Sequence, residues 1–218
     1  MDSLSDRIFI INLKERVDRY ERFTNEFTRE GITNWERFDA IRYDPKIHGY
    51  ENEFNNFLKD HGKTEHYLKA AFGCMLSHRT IIKIAKERGY NSVIILEDDF
   101  IFTQGWKDNL NKCFIDLERY SWLFFYFHMG YYSQNAYFNV TENLVCPRQG
   151  LGTTGYIVKK EMFDFLLDNM LQYGKQIDVF YFERIQNNSL VLAAKNNIII
   201  QGESWSDIEQ NLANIGGR

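Results

Sequence analysis

Apolar and polar positions along the chain alternate between two rhythms. Ile8, Phe9, Ile10 and Ile11 form an unbroken apolar run in "RIFIINL", which reads as a buried strand. Next come Val17, Tyr20, Phe23 and Phe27 at three- and four-residue steps, the apolar face of a helix that Asn12 can cap and Gly31 closes. "WERFDAI" (35–41) reads as a second strand, and residues 43–66 as a loop carrying a short helix near 51–60. Leu76, Ile81, Ile84 and Ala85 predict a helix from about Met75 to Gly89. A strand at 92–96, a helix near 107–119 and a strand within 121–127 follow. The stretch 129–153 is rich in turn residues. "TGYIVKK" then reads as a strand, "KEMFDFLLDNML" as a helix, and "SLVLAA" and "NIIIQ" as short closing strands.

Strands and helices alternate through the first two thirds of the chain. That order predicts an α/β fold, with helices on both faces of a mostly parallel sheet. Ligands of such sheets bind beyond the carboxyl ends of the strands. Glu97, Asp98 and Asp99 stand at such an end, directly after Val93–Leu96. Three adjacent carboxylates repel one another and are costly to bury without a partner. Residues two apart on an extended segment share a face, so Glu97 and Asp99 are expected to point together. A hard dication such as Mn²⁺ or Mg²⁺ would answer the repulsion. A solvated strand end or helix start would answer it equally.

Two further stretches carry candidate chemistry. In "INLKERVDRYERF", Arg16 and Arg19 lie near a helix start, either as an anion cradle or as part of an exposed charged face. In "GCMLSH", Gly73 would let a ligand approach the backbone closely, while Ser77 and His78 are site residues or structural ones. Adjacent helical residues diverge by about 100°, so Ser77 and His78 do not form a nucleophile pair.

Composition narrows the classes. A 218-residue chain with 44% hydrophobic residues can bury a core and suits one domain over 1–218. A net charge of −4 with no Lys/Arg block argues against nucleic acid as a partner. Cys74, Cys113 and Cys146 form no CxxC pair and read as free thiols. No apolar stretch is long enough to span a membrane, and acids occupy the place where a signal peptide needs basic residues. The expectation is a cytoplasmic protein in which the sequons at Asn139 and Asn187 are idle; peripheral contact with a membrane stays open.

Taken in order, "IFIINLKERVDRYERF", "ERFDAI" and "GCMLSHRTIIKIAKERGYNSVIILEDDF" resemble glycosyltransferase family 25. That family includes lipooligosaccharide and collagen hydroxylysine galactosyltransferases. "GTTGYIVKKEMFDFLL", Asp178 and "SWSDI" resemble its weaker later blocks. The resemblance implies a GT-A-type, Rossmann-like α/β/α sandwich, with a nucleotide-sugar part at about 7–127 and an acceptor part at about 128–208. It implies a UDP-galactose or UDP-glucose donor, a manganese or magnesium ion, and transfer with inversion. Carried over by position, Asp99 and Glu97 hold the metal, with Glu97 also orienting ribose or metal-bound water. Asp98 is an alternative contact, Asn12, Leu13, Arg16 and Arg19 border the uridine and diphosphate, and Ser77 and His78 lie near the donor.

The acceptor hydroxyl would lose its proton to Asp178, or less directly to Glu183; a helix cap is the plain alternative for Asp178. "FHMGYYSQNAYFNV" offers Tyr131 and Tyr132 as a stacking surface for an acceptor glycan or protein, or is a packed loop. Two other classes remain. One is an inactive relative that binds nucleotide-sugar, glycan or protein. The other is a phosphohydrolase, which His48, His61, His66, His78 and His128 do not support by their spacing.

Overall fold

The computed structural model describes residues 1–58, 63–131, 135–202, 205–206, 208 and 211–212. The chain opens with β1 (Arg7–Asn12), α1 (Val17–Glu30), β2 (Trp35–Asp39), α2 (Pro45–His48), α3 (Glu51–Leu58) and α4 (Glu65–Glu87). It continues through β3 (Ser92–Glu97), β4 (Phe100–Phe102), α5 (Trp106–Leu117) and β5 (Phe124–Tyr126). Four short strands follow: β6 (Gly130–Tyr131), β7 (Tyr137–Asn139), β8 (Leu144–Pro147) and β9 (Gly150–Leu151). The rest comprises β10 (Gly155–Lys159), α6 (Phe163–Tyr173), α7 (Ile177–Arg184), β11 (Val191–Ala194), β12 (Ile199–Gln201), β13 (Trp205–Ser206) and β14 (Asn211–Leu212). His61 and Tyr132, and Ser204 and Asp207 of the "SWSDI" block, lie outside the described residues.

Eight strands form the central sheet in the order β2-β1-β3-β10-β5-β11-β8-β7. The expected mostly parallel sheet is not what forms. Among the described residues only β1 with β2, β1 with β3, and β5 with β11 run parallel. β10 lies antiparallel between β3 and β5, and β8 is antiparallel to both β11 and β7. The architecture is an α/β sandwich on a mixed, mostly antiparallel sheet. A buried apolar run fixes a strand but not its direction, and the parallel expectation rested on strand–helix alternation that ends at β5. Beyond it the short strands β6–β9 lead back into β10, which returns between strands laid down earlier.

Residue alternation sorts the core into two layers. Phe9, Ile11, Val93 and Ile95 face a layer with α3, α4, α6 and α7. Ile8, Ile10, Ile94 and Leu96 face the opposite layer with α1 and α5. Phe23 and Phe27 of α1 pack there against Trp35 at 5.8 Å between ring centroids. α1 ends as expected at Gly31, whose φ of 71° favours glycine. Its start differs: Arg16 is the cap residue, and the Asn12 side chain donates to Arg16 O at 3.2 Å.

α4 begins ten residues before the expected start, capped by Thr64, whose Oγ1 accepts from Tyr67 N. Gly73 sits inside it. A Cβ there would lie 2.2 Å from Ile41 O, so glycine allows helix and backbone to meet. Ser77 seals the same contact: its Oγ accepts from Ile41 N and donates to Gly73 O, each at 2.8 Å. The close approach expected of Gly73 is made by the chain's own backbone. Among the described residues no helix is long and apolar enough to cross a membrane.

Candidate functional site

The carboxyl ends of β1 and β3 open into a cavity of about 360 Å³, the size range of small-molecule sites. α1 closes one side and α4 the other. Leu13, Arg19, Ser77, Glu97, Asp98 and Asp99 all contribute to its wall. Asn12, Arg16, His78 and Asp178 do not; Asn12 and His78 lie behind the wall in direct contact with its carboxylates. On the outer side Arg42, His66 and Lys69 give the rim a basic lining.

β3 ends at Glu97, and Asp98 and Asp99 make the turn into β4. The three carboxylates meet three different environments. Glu97 follows Val93 and Ile95 toward α4, where its Oε1 accepts from Thr153 Oγ1 at 2.6 Å and lies 3.2 Å from His78 Nε2. Burial alone would raise this carboxyl, but the His78 and Thr153 contacts hold it below the ordinary range. Asp98 turns toward α1, accepting from Arg19 Nη1 at 2.5 Å and from Asn12 Nδ2 at 2.6 Å. Arg22 clamps the turn from α1, donating to the carbonyls of Asp98 and Phe100.

Asp99 is the exception. Its Oδ2 accepts from Gln201 Nε2 at 2.9 Å, while its Oδ1 is buried without a hydrogen-bond partner among the described residues. Burial first, and then the neighbouring Glu97 charge, push its carboxyl up to about 7. Asp99 thus shares the cavity wall with Glu97 and keeps one oxygen unmatched among the described residues, an arrangement that is costly for two like charges. Asn12 Oδ1 is likewise unmatched among the described residues.

Behind Glu97 a buried polar chain runs into the α4 layer. His78 Nδ1 lies 2.8 Å from Tyr156 Oη, which lies 2.8 Å from Tyr181 Oη. Cys74, one helical turn before His78, places its Sγ 4.0 Å from Glu97 Oε1. The donor atoms of Cys74, His78 and Glu97 all lie within 4.8 Å of one another, a candidate metal-binding cluster.

Asp178 stands in the first turn of α7, its Oδ1 accepting from Val179 N at 2.8 Å. Burial raises its carboxyl and the Glu97 charge adds to the effect. Glu183 instead pairs with Lys175 at 2.9 Å and with the Tyr173 hydroxyl. Arg16 forms an ion pair with Asp18 at 2.9 Å. Tyr131 packs on Tyr137 at 4.8 Å between centroids, away from the cavity wall.

Sequence reasoning missed Cys74, Thr153, Tyr156, Gln201 and Arg22. The Cys74–His78 spacing of four was a usable signal, since such residues share a helix face. Thr153 arrives from the loop before β10, and Tyr156 and Gln201 from distant strands, and they left no local trace.

The family model for glycosyltransferase family 25 (LPS biosynthesis protein) matches residues 5–181. A protein of Acanthamoeba polyphaga mimivirus, provisionally named a glycosyltransferase, is 36% identical over 113 residues, 51% of this chain and 34% of its own length. A glycosyltransferase 25 family member of Drosophila melanogaster is 31% identical over 119 residues, 48% of this chain and 18% of that protein. Human procollagen galactosyltransferase 2 is 25% identical over 201 residues, 84% of this chain and 30% of that protein. The chain thus spans about a third or less of the curated relatives it matches. The crystal structure of a glycosyltransferase involved in glycosylation of the major capsid of PBCV-1 superposes with a TM-score of 0.52 at 14% identity. The superposition covers 94% of this chain and 96% of that one and shows a shared fold.

Proposed function

The chain belongs to glycosyltransferase family 25, and from that premise we propose that it moves a hexose, galactose in the first instance, from a UDP-sugar to a hydroxyl acceptor on a glycan or protein. The observation that carries the reading is the unmatched Asp99 Oδ1 beside Glu97, at the floor of the cavity where β1 and β3 end. Two carboxylates of one sign in a buried cleft fit a hard dication, and manganese or magnesium suits their oxygen donors. Asp99 and Glu97 would hold it. When bound, such an ion supplies positive charge for the departing diphosphate.

The chain's own residues do the rest. Arg19 and Asn12 hold the Asp98 carboxyl in place, so the turn that presents Asp99 cannot swing away. Leu13 and the residues up to Arg16 form the β1–α1 turn, which borders the donor's uridine and diphosphate. Ser77 holds α4 against Ile41 and so sets the width of the cleft beside the donor. His78 orients Glu97 from behind. Asp178 takes the proton of the acceptor hydroxyl, its raised affinity for a proton coming from burial and from Glu97.

Asp178→Asn tests the assignment of the base. It should abolish transfer from UDP-galactose while leaving UDP binding unchanged. Wild-type turnover in that variant removes Asp178 from the mechanism.

A further inference from the structure

We infer that Cys74, His78 and Glu97 form a second cation site, for a thiophilic dication such as Zn²⁺, beneath the donor cleft and distinct from the oxygen-only pair Asp99 and Glu97. Cys74 and His78 are four residues apart on α4 and present Sγ and Nε2 to the same side, where Glu97 arrives from the end of β3. The separations of 3.2 Å from His78 Nε2 to Glu97 Oε1, and 4.0 Å from Cys74 Sγ to Glu97 Oε1, need only small adjustments. They approximate the edges of a tetrahedron with metal bonds of about 2.0–2.3 Å. One sulfur, one imidazole nitrogen and one carboxylate oxygen suit zinc, whereas manganese and magnesium prefer oxygen alone. Cys74 and Glu97 both reach the cavity wall, which gives the ion an entry path and leaves a fourth position for water.

The support behind the site fits as well. A metal-bound histidine fixes its other ring nitrogen with a second partner. His78 Nδ1 has one in Tyr156 Oη, and Tyr156 is backed by Tyr181. Each hydroxyl can donate or accept, so the pair serves His78 in either tautomer. Without an ion, Nε2–H donates to Glu97. With one, Nε2 gives its lone pair to the metal, and Nδ1–H donates to Tyr156. The Cys74 thiol proton leaves to solvent, and nothing is oxidised. Because Glu97 belongs to both sites, zinc bound here withdraws it from the hard-ion site and weakens manganese-dependent donor binding.

The test is titration of metal-free protein with Co²⁺ and Zn²⁺, read by absorbance and by calorimetry. Wild type should bind one zinc and show a cobalt–thiolate charge-transfer band. The Cys113→Ser/Cys146→Ser double variant should keep that band. Cys74→Ser should lose it and bind zinc more weakly by at least the roughly 10- to 100-fold that loss of an outer-shell partner alone costs. Manganese-dependent UDP-galactose binding is read separately on Asp99→Ala, which loses it if the functional reading holds; the two ideas therefore fail separately. No saturable zinc binding by wild type, or equal binding by Cys74→Ser, overturns the inference. Should Cys74→Ser not fold, a wild-type cobalt spectrum without the charge-transfer band overturns it alone.

Discussion

On one face of the central sheet, Ile8, Ile10, Ile94, Leu96, Phe125 and Phe127 meet α1 and α5 in a core of aliphatic and aromatic side chains. On the other face, the same strands and their neighbours pack on α4, α6 and α7. There a chain of polar groups, Glu97, His78, Tyr156 and Tyr181, threads the buried layer. The first face supplies stability through area removed from water and close packing. The second gives up some of that for fixed dipoles and hydrogen bonds that end at the cleft. One sheet thus carries a dry side that sets the frame and a wired side whose polar groups lead to the cleft. The carboxylate turn at 97–99 joins them, because Glu97 answers to α4 and Asp98 to α1.

The sharpest way to break this contrast is Asp99→Ala, which should reduce transfer from a UDP-sugar to the detection limit while leaving the fold intact. A steady-state transfer assay with a matched thermal unfolding curve checks both halves. Next in size is Arg19→Ala. It leaves Asp98 buried without its ion-pair partner and should cost about 3–5 kcal/mol in denaturant unfolding. Phe27→Ala on the dry side should cost a similar amount, about 3–5 kcal/mol. If the contrast holds, however, UDP binding to the folded fraction of Phe27→Ala stays at the wild-type level. Gly73→Ala comes third. Its Cβ would meet Ile41 O, so α4 must shift, and a loss of about 1–3 kcal/mol is expected.

The smallest effect sits at the end of α5. Hydrogen bonds from Thr141, first, and Asn143 depress the Asp116 carboxyl. Its folded value lies below the unfolded one, so its contribution is present above about pH 4 and fades as pH falls through the folded value. The difference in melting temperature between wild type and Asp116→Ala should therefore be present at pH 7 and vanish in acid.

The dry side was largely legible in the sequence. The Ile8–Ile11 run, the Phe23/Phe27 stripe closed by Gly31, and the Val93–Leu96 run each carry their periodicity locally. The placement of the carboxylates at a strand end followed from the same run. The wired side was not legible, for physical reasons. β10 pairs with β3 and β5 across long separations, and nothing in "TGYIVKK" states its direction. Gly73 reads as a place for a ligand to approach the backbone, yet it lies within α4, where only a residue without Cβ can pass Ile41. Strand alternation suggested that Glu97 and Asp99 point together, and both line the cavity, but the chain leaves the strand after Glu97, so the turn and Gln201 are what fix Asp99 there.

The central claim is that the Asp99–Glu97 pair is half of a cation site that clamps a nucleotide diphosphate. Calorimetric titration of UDP-galactose, with Mn²⁺ and with chelator, on wild type and on folded Asp99→Ala tests it directly. The account predicts binding by wild type only when the metal is present, and none by the variant under either condition. Equal binding in chelator, or by Asp99→Ala, would contradict it.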